Sequence, residues 1–252
     1  MTTASHSIPP YTVHSVPLSR PFIWLSRGWD DLLHHRSASL AYGWLVSALG
    51  ALILAYERHP FFIAFTISAF LLVGPIMTAG LCELSRRQAN GDTADFSTSL
   101  KALRGHRHNL LSFANRLLAL GLAWFTLSSV ILYGAMGSVA PSLEATVWGD
   151  VLRQLSNTQL LSYIVSGGLL AAVVFALSVV SVPMIIESNV DARTAIRTSI
   201  RVTLRDFPAM VVWAVLVTAL VSFGFATYLL GMVVVFPLLG HATWHAYKDL
   251  VH

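Results

Sequence analysis

The feature that most constrains this chain is a series of long, uninterrupted apolar runs, over residues 40–56, 61–84, 111–137, 160–186 and 209–247. A helix rises about 1.5 Å per residue, so about 20 residues cross the roughly 30 Å hydrocarbon layer of a membrane. The first four runs fit one crossing each. The last is too long for one, and it divides best at "ATYLLG", residues 226–231, where Tyr228 suits an interface and Gly231 relaxes the backbone. The expectation is an all-α, polytopic membrane protein with six transmembrane helices. Charged residues are only 11% of the chain, against about a quarter in soluble domains, too few for a polar shell.

Basic residues in the connections set the orientation. One side of the membrane receives the N-terminal arm with Arg20, Arg27 and Arg36. It also receives the second connection (Arg86, Arg87, Lys101, Arg104, Arg107, Arg116), the fourth (Arg193, Arg197, Arg201, Arg205) and Lys248. Only Arg58 and Arg153 of the 16 Lys and Arg residues fall on the other side. Both termini are therefore expected in the cytoplasm, and the net charge of +4 needs no nucleic acid to explain it. Residues 1–19 lack the apolar core of a signal peptide and read as a disordered cytoplasmic arm, with residues 20–252 as the transmembrane domain. The one cysteine, Cys82, has no disulfide or zinc partner in the chain.

Three cytoplasmic segments have the period of amphipathic surface helices. In "PFIWLSRGWDDLLHHR" an apolar face of Phe22, Leu25, Trp29, Leu32 and Leu33 opposes Arg27, Asp30 and Asp31. In "DFSTSLKALRGHR" Phe96, Leu100 and Leu103 oppose Lys101 and Arg104. In "DARTAIRTSIRVTLRDF" the row Ala192, Ile196, Ile200, Leu204 runs beside Arg193, Arg197, Arg201, Arg205. Each segment precedes an outgoing span and a returning span with a proline: "LVGPIM", "VSVPMI" and "VVFPLL" carry Pro75, Pro183 and Pro237. Proline frees a carbonyl and bends a membrane helix, so the expected arrangement is three proline-bent hairpins.

The segments "SLAYGWLVSALG", "FLLVGPIMTAGLCELSRR", "FALSVVSVPMIIE" and "VVVFPLLGHATWHAYKDL" together resemble bacterial predicted integral membrane proteins grouped as domain of unknown function 2189. The resemblance runs from about Pro17 to the C-terminus and is most specific in "GHATWHAY". It implies a six-helix protein of the bacterial inner membrane and offers no catalytic residue.

Apart from Glu83, Arg116, His241 and His245 toward their cytoplasmic ends, the six runs contain no Asp, Glu, Lys, Arg or His, which argues against proton-coupled transport. Ionisable groups gather at the cytoplasmic ends of the returning helices: Glu83, Glu187, His241 and His245. If the hairpins share a centre, these four form a candidate metal site. Imidazole with carboxylate suits zinc, iron or manganese, and paired imidazoles suit haem or copper. The alternative is an interfacial belt of Trp244, Tyr247 and the two histidines, with both glutamates paired to nearby arginines. Arg193, Arg197, Arg201 and Arg205 form a cationic stripe suited to anionic lipid phosphates, with a soluble anion or a protein partner as the alternative. Neither "GPIMTAG" nor "GSVAPSLEATVWG" is a phosphate loop, and His34, His35, His106 and His108 read as residues near headgroups. The outer connection, residues 138–159, reads as a helix on the outer surface around Trp148. The function expected is a non-enzymatic accessory or scaffold component, with a haem- or metal-binding protein or a facilitator for a neutral small molecule as alternatives.

Overall fold

A computed structural model describes residues 11–55, 60–136 and 156–251. Among them the chain forms nine helices and no strand: α1 (Arg20–His34), α2 (Arg36–Ala55), α3 (Pro60–Ala89), α4 (Phe96–Met136), α5 (Asn157–Ser178), α6 (Ser181–Ser188), α7 (Ala192–Arg205), α8 (Phe207–Ala226) and α9 (Met232–Leu250). Arg58, Arg153 and the expected outer helix around Trp148 lie outside the described residues.

Local chemistry places several of the boundaries. Pro21 and Pro208 open α1 and α8, where a missing N–H costs nothing. The Asp95 carboxylate accepts from the Thr98 amide (2.7 Å) at the start of α4. Asp191 does the same for α7 through the Arg193 amide (3.1 Å). α6 ends at Asn189 in the left-handed region, with φ 49°. The division expected near residue 226 is where α8 ends and α9 begins, across a turn at residues 227–231. Tyr228 and Leu229 both take positive φ there, and the Thr227 hydroxyl accepts from the Gly231 amide at 2.8 Å.

α9 is the hub. It packs against α1, α2 and α3, and also touches α6 and α8, and its buried residues lie all round its axis. A helix apolar on every side belongs in an interior. Two glycines let neighbouring backbones close on it. A Cβ on Gly28 of α1 would lie 2.7 Å from the Ala242 amide nitrogen, and one on Gly43 of α2 would lie 2.0 Å from the Val233 carbonyl oxygen. Small residues at such crossings are what membrane helix packing favours.

Several local expectations change. α1 buries Pro21, Trp24, Gly28, Asp31 and Leu32, and leaves Phe22, Trp29 and Leu33 exposed. Its protein-packed face therefore lies beside the apolar face read from the sequence, and the tight fit at Gly28 sets which side meets α9. α7 buries Ala192, Ala195, Thr198, Ser199 and Val202, while Leu204 is 72% exposed. Size, not hydrophobicity, selects that face. The expected surface helix at residue 96 is the beginning of α4, an unbroken helix of 41 residues and about 60 Å. It runs straight on into the apolar segment with no break at which it could turn from lying on a surface to crossing it. Of the three prolines, Pro75 and Pro237 lie inside unbroken helices. Before Pro183 the helix is interrupted at Val179 and Val180.

The N-terminal arm is described from residue 11, and there it is tied to the fold. Val13 bridges Val251, the His14 amide donates to the Leu250 carbonyl (3.0 Å), and the Val16 amide donates to the Asp206 carboxylate (2.9 Å).

Candidate functional site

The histidines of the last helix enter a polar network that joins four helices. His241 and His245 lie one turn apart on α9, on the same face. α1, drawn in at Gly28, brings Asp31 to His245, whose Nε2 lies 2.9 Å from Asp31 Oδ2. α3 contributes Ser85, whose hydroxyl donates to the same oxygen, Asp31 Oδ2, at 2.5 Å. Ser85 Oγ also lies 2.8 Å from His241 Nδ1. α2 contributes Ser39, with Oγ 2.8 Å from His241 Nε2.

The network fixes its own protons. A serine has one hydrogen to donate, and that of Ser85 goes to Asp31. Ser85 must then accept from His241, which places the imidazole proton on Nδ1 and leaves Nε2 to accept from Ser39. His241 is thus a neutral ring with both nitrogens satisfied and no exposed surface. Asp31 is 6% exposed. Burial pushes its pKa up, but hydrogen bonds from His245 and Ser85 and the charge of His245 outweigh this and hold it below the usual carboxylate range. Beside it, His35 is held below the usual histidine range by burial first and by the neighbouring charge of His34 second, against the pull of Asp31 and of the Ala94 backbone. Its Nε2 has no hydrogen-bond partner among the described residues.

A second anchor lies one turn on. Asp249 Oδ2 accepts from Arg20 Nε (2.6 Å) and Trp24 Nε1 (2.7 Å), with Arg27 at 3.7 Å from Oδ1. α1 is therefore held to α9 by two carboxylates, one on each helix.

The four residues grouped from the sequence do not meet. Glu83 is buried but turned to its own helix, accepting from Arg86 at 2.7 Å and 2.9 Å and from Arg87 at 2.7 Å. Glu187 pairs with Lys248 at 3.3 Å, not with an arginine. His241 faces inward as the metal reading required, but its neighbours are Asp31, Ser39 and Ser85. Trp244 and Tyr247 are also buried, so these aromatics pack the interior instead of forming a belt. Among the described residues no three His, Cys, Asp or Glu side chains are placed to share a metal ion. Asp31, Ser39 and Ser85 were the members sequence reasoning passed over. By periodicity Asp31 falls with Arg27 and Asp30 opposite the apolar face, and nothing local marks which of two adjacent aspartates turns inward.

The arginine stripe is displayed as expected. Arg193, Arg197, Arg201 and Arg205 are all exposed, and none takes a carboxylate partner among the described residues. Arg201 makes one long contact, to the Tyr11 carbonyl at 3.4 Å.

Among the described residues two helical stretches are long and apolar enough to cross a membrane, Ile164–Ser188, which runs through the interruption before α6, and Phe207–Ala226. Such an all-helical chain, bound together around an apolar hub, defines a helical membrane protein. It belongs to the family of predicted integral membrane proteins DUF2189, which matches residues 62–187. That match covers α3 to α6 and stops short of the C-terminal histidine segment. No curated protein and no solved structure matches the chain.

Proposed function

We propose that the chain is a non-enzymatic accessory or scaffold component of the bacterial cytoplasmic membrane, whose basic cytoplasmic face engages anionic lipid. In this reading it crosses six times as three proline-bent hairpins, with both termini in the cytoplasm. The observation that carries it is the α7 stripe. Four arginines are exposed on one helix without carboxylate partners among the described residues, while the opposite face of that helix is packed on small residues. A rigid cationic edge of this kind suits a sheet of lipid phosphates, each arginine contributing about 1 kcal/mol near an anionic surface. The His–Asp–Ser network then serves as the clasp that fixes α1, α2, α3 and α9, since Asp31, Ser39, Ser85 and both ring nitrogens of His241 are bonded to one another or to His245.

The test is lipid retention by the purified full-length protein, counted by native mass spectrometry with phosphatidylglycerol. Arg197→Glu with Arg201→Glu is expected to lower retention by about tenfold or more, as two attractive contacts become repulsive. Unchanged retention would sink the reading. Cysteine labelling tests the arrangement in the membrane, with residue 95 and the exposed residue 204 expected inside and residues 58 and 148 outside.

A further inference from the structure

α4 carries a second basic feature of different construction. Leu100, Leu103, Arg104, Arg107, Leu110 and Leu111 recur at three- and four-residue spacing, so they share one face. With Ile76 of α3 they line a groove of about 210 Å³. Leu103 and Leu110 form a buried floor, and Leu100 and Leu111 stand at its rims, 40% and 44% exposed. Arg104 and Arg107 are exposed, and neither has a carboxylate partner among the described residues.

The order of these residues along the helix matters. The apolar run of α4 starts at residue 111. Arg107 and Arg104 lie about 6 Å and 10 Å before it at 1.5 Å per residue, which is the depth of headgroups when Leu111 meets hydrocarbon. An apolar trough with two unpaired cations one to two turns toward the cytoplasm complements a molecule with an apolar chain and an anionic phosphate. A free phosphate has no use for the leucine floor, and an uncharged lipid has no use for the arginines. We infer that the α3–α4 groove is a binding site for one anionic phospholipid, its phosphate held by Arg104 and Arg107 and the upper part of an acyl chain lying along Leu110, Leu111 and Ile76.

This site shares with the proposed function the placement of these basic segments at the cytoplasmic surface, but it makes no use of the α7 stripe. The experiment separates the two. Full-length protein in detergent is titrated with phosphatidylglycerol, with phosphatidylcholine, and with phosphatidylglycerol in the presence of excess glycerol phosphate, and the retained lipid is counted by native mass spectrometry. Wild type is compared with R104Q/R107Q and with R197E/R201E, with thermal unfolding as the check that each variant is folded. The expected result is one phosphatidylglycerol that resists glycerol phosphate, is bound well above phosphatidylcholine, weakens about thirtyfold in R104Q/R107Q and survives in R197E/R201E. Unchanged retention in folded R104Q/R107Q, equal retention of phosphatidylcholine, or displacement by glycerol phosphate would each overturn it. Loss confined to R197E/R201E would overturn the groove and leave the stripe standing. Loss confined to R104Q/R107Q would do the reverse.

Discussion

Gly43 of α2 points the hydrogen that replaces its side chain at the carbonyl oxygen of Val233 on α9, with a Cβ there only 2.0 Å from that oxygen. Val233 is four residues before Pro237, so its carbonyl has lost the amide donor a helix normally supplies. The α2 backbone comes close enough to offer a Cα–H contact in its place. The proline and the glycine are thus one feature: the freed acceptor of one helix is covered by the one residue type that lets another helix reach it.

Gly43→Ala is therefore expected to destabilise the protein by about 3 kcal/mol or more, since backbone on both sides blocks relief. Gly105→Ala is the control. Gly105 lies inside α4 with open space where the Cβ would go, so it is expected to be neutral or to stabilise by about 0.5–1 kcal/mol through helix propensity. Thermal unfolding of both variants in detergent checks the pair, and equal effects would show that the approach at Val233 is not tight.

What the sequence revealed, and what it hid, follows from which physical quantity each feature depends on. The boundary at residues 226–231 was legible because a run of that length cannot be one span, and Tyr228 and Gly231 mark the interruption. The special place of His241 and His245 was legible from their spacing. Their partners were not, since Ser39, Ser85 and Asp31 lie 202, 156 and 214 residues away from them. The faces by which α1 and α7 pack on the protein were hidden for a related reason. Periodicity ranks residues by hydrophobicity, whereas these helices pack on Gly28, Ala192, Ala195 and Ser199, where small size allows close approach. Leu204 and Trp29 remain outside.

Because His241 uses both nitrogens, removing either serine strands a buried polar atom. Ser39→Ala and Ser85→Ala are each expected to cost about 1–3 kcal/mol. With His241→Ala, each should show a coupling of at least about 0.5 kcal/mol in a double-mutant cycle. Additive losses would mean that the hydrogen bonds do not stabilise the fold.

Stability should fall on acidification in two stages. The folded pKa of His35 lies below its ordinary value, so the unfolded chain takes up the proton first and stability begins to drop as pH falls below about 6.5. The folded pKa of Asp31 is also depressed, so its contribution is complete above about pH 3.9 and is lost as pH falls through the folded value. Both signs agree. Unfolding midpoints measured between pH 8 and pH 3 should show an upper slope that His35→Phe reduces, the buried neutral His241 supplying the rest with the same sign, and a lower one that Asp31→Asn removes. An upper slope unchanged in His35→Phe would assign that titration to other groups.

The histidine pair also gives a decision on metal. For His241 to ligate, Nε2 must give up the Ser39 hydroxyl or Nδ1 the Ser85 hydroxyl, and either exchange leaves a buried serine without its partner at a cost of about 1–3 kcal/mol. His245 is committed through Nε2 to Asp31, and the carboxylate would lose a hydrogen bond if the ring turned away. Glu83 is held by two arginines and is not available to complete a coordination sphere. Purified wild type and a His241→Ala, His245→Ala variant are therefore expected to carry the same negligible amounts of zinc, iron, copper and haem by elemental analysis and absorption. Stoichiometric metal or haem in the wild type, absent from the variant, would show that the network opens to bind a ligand.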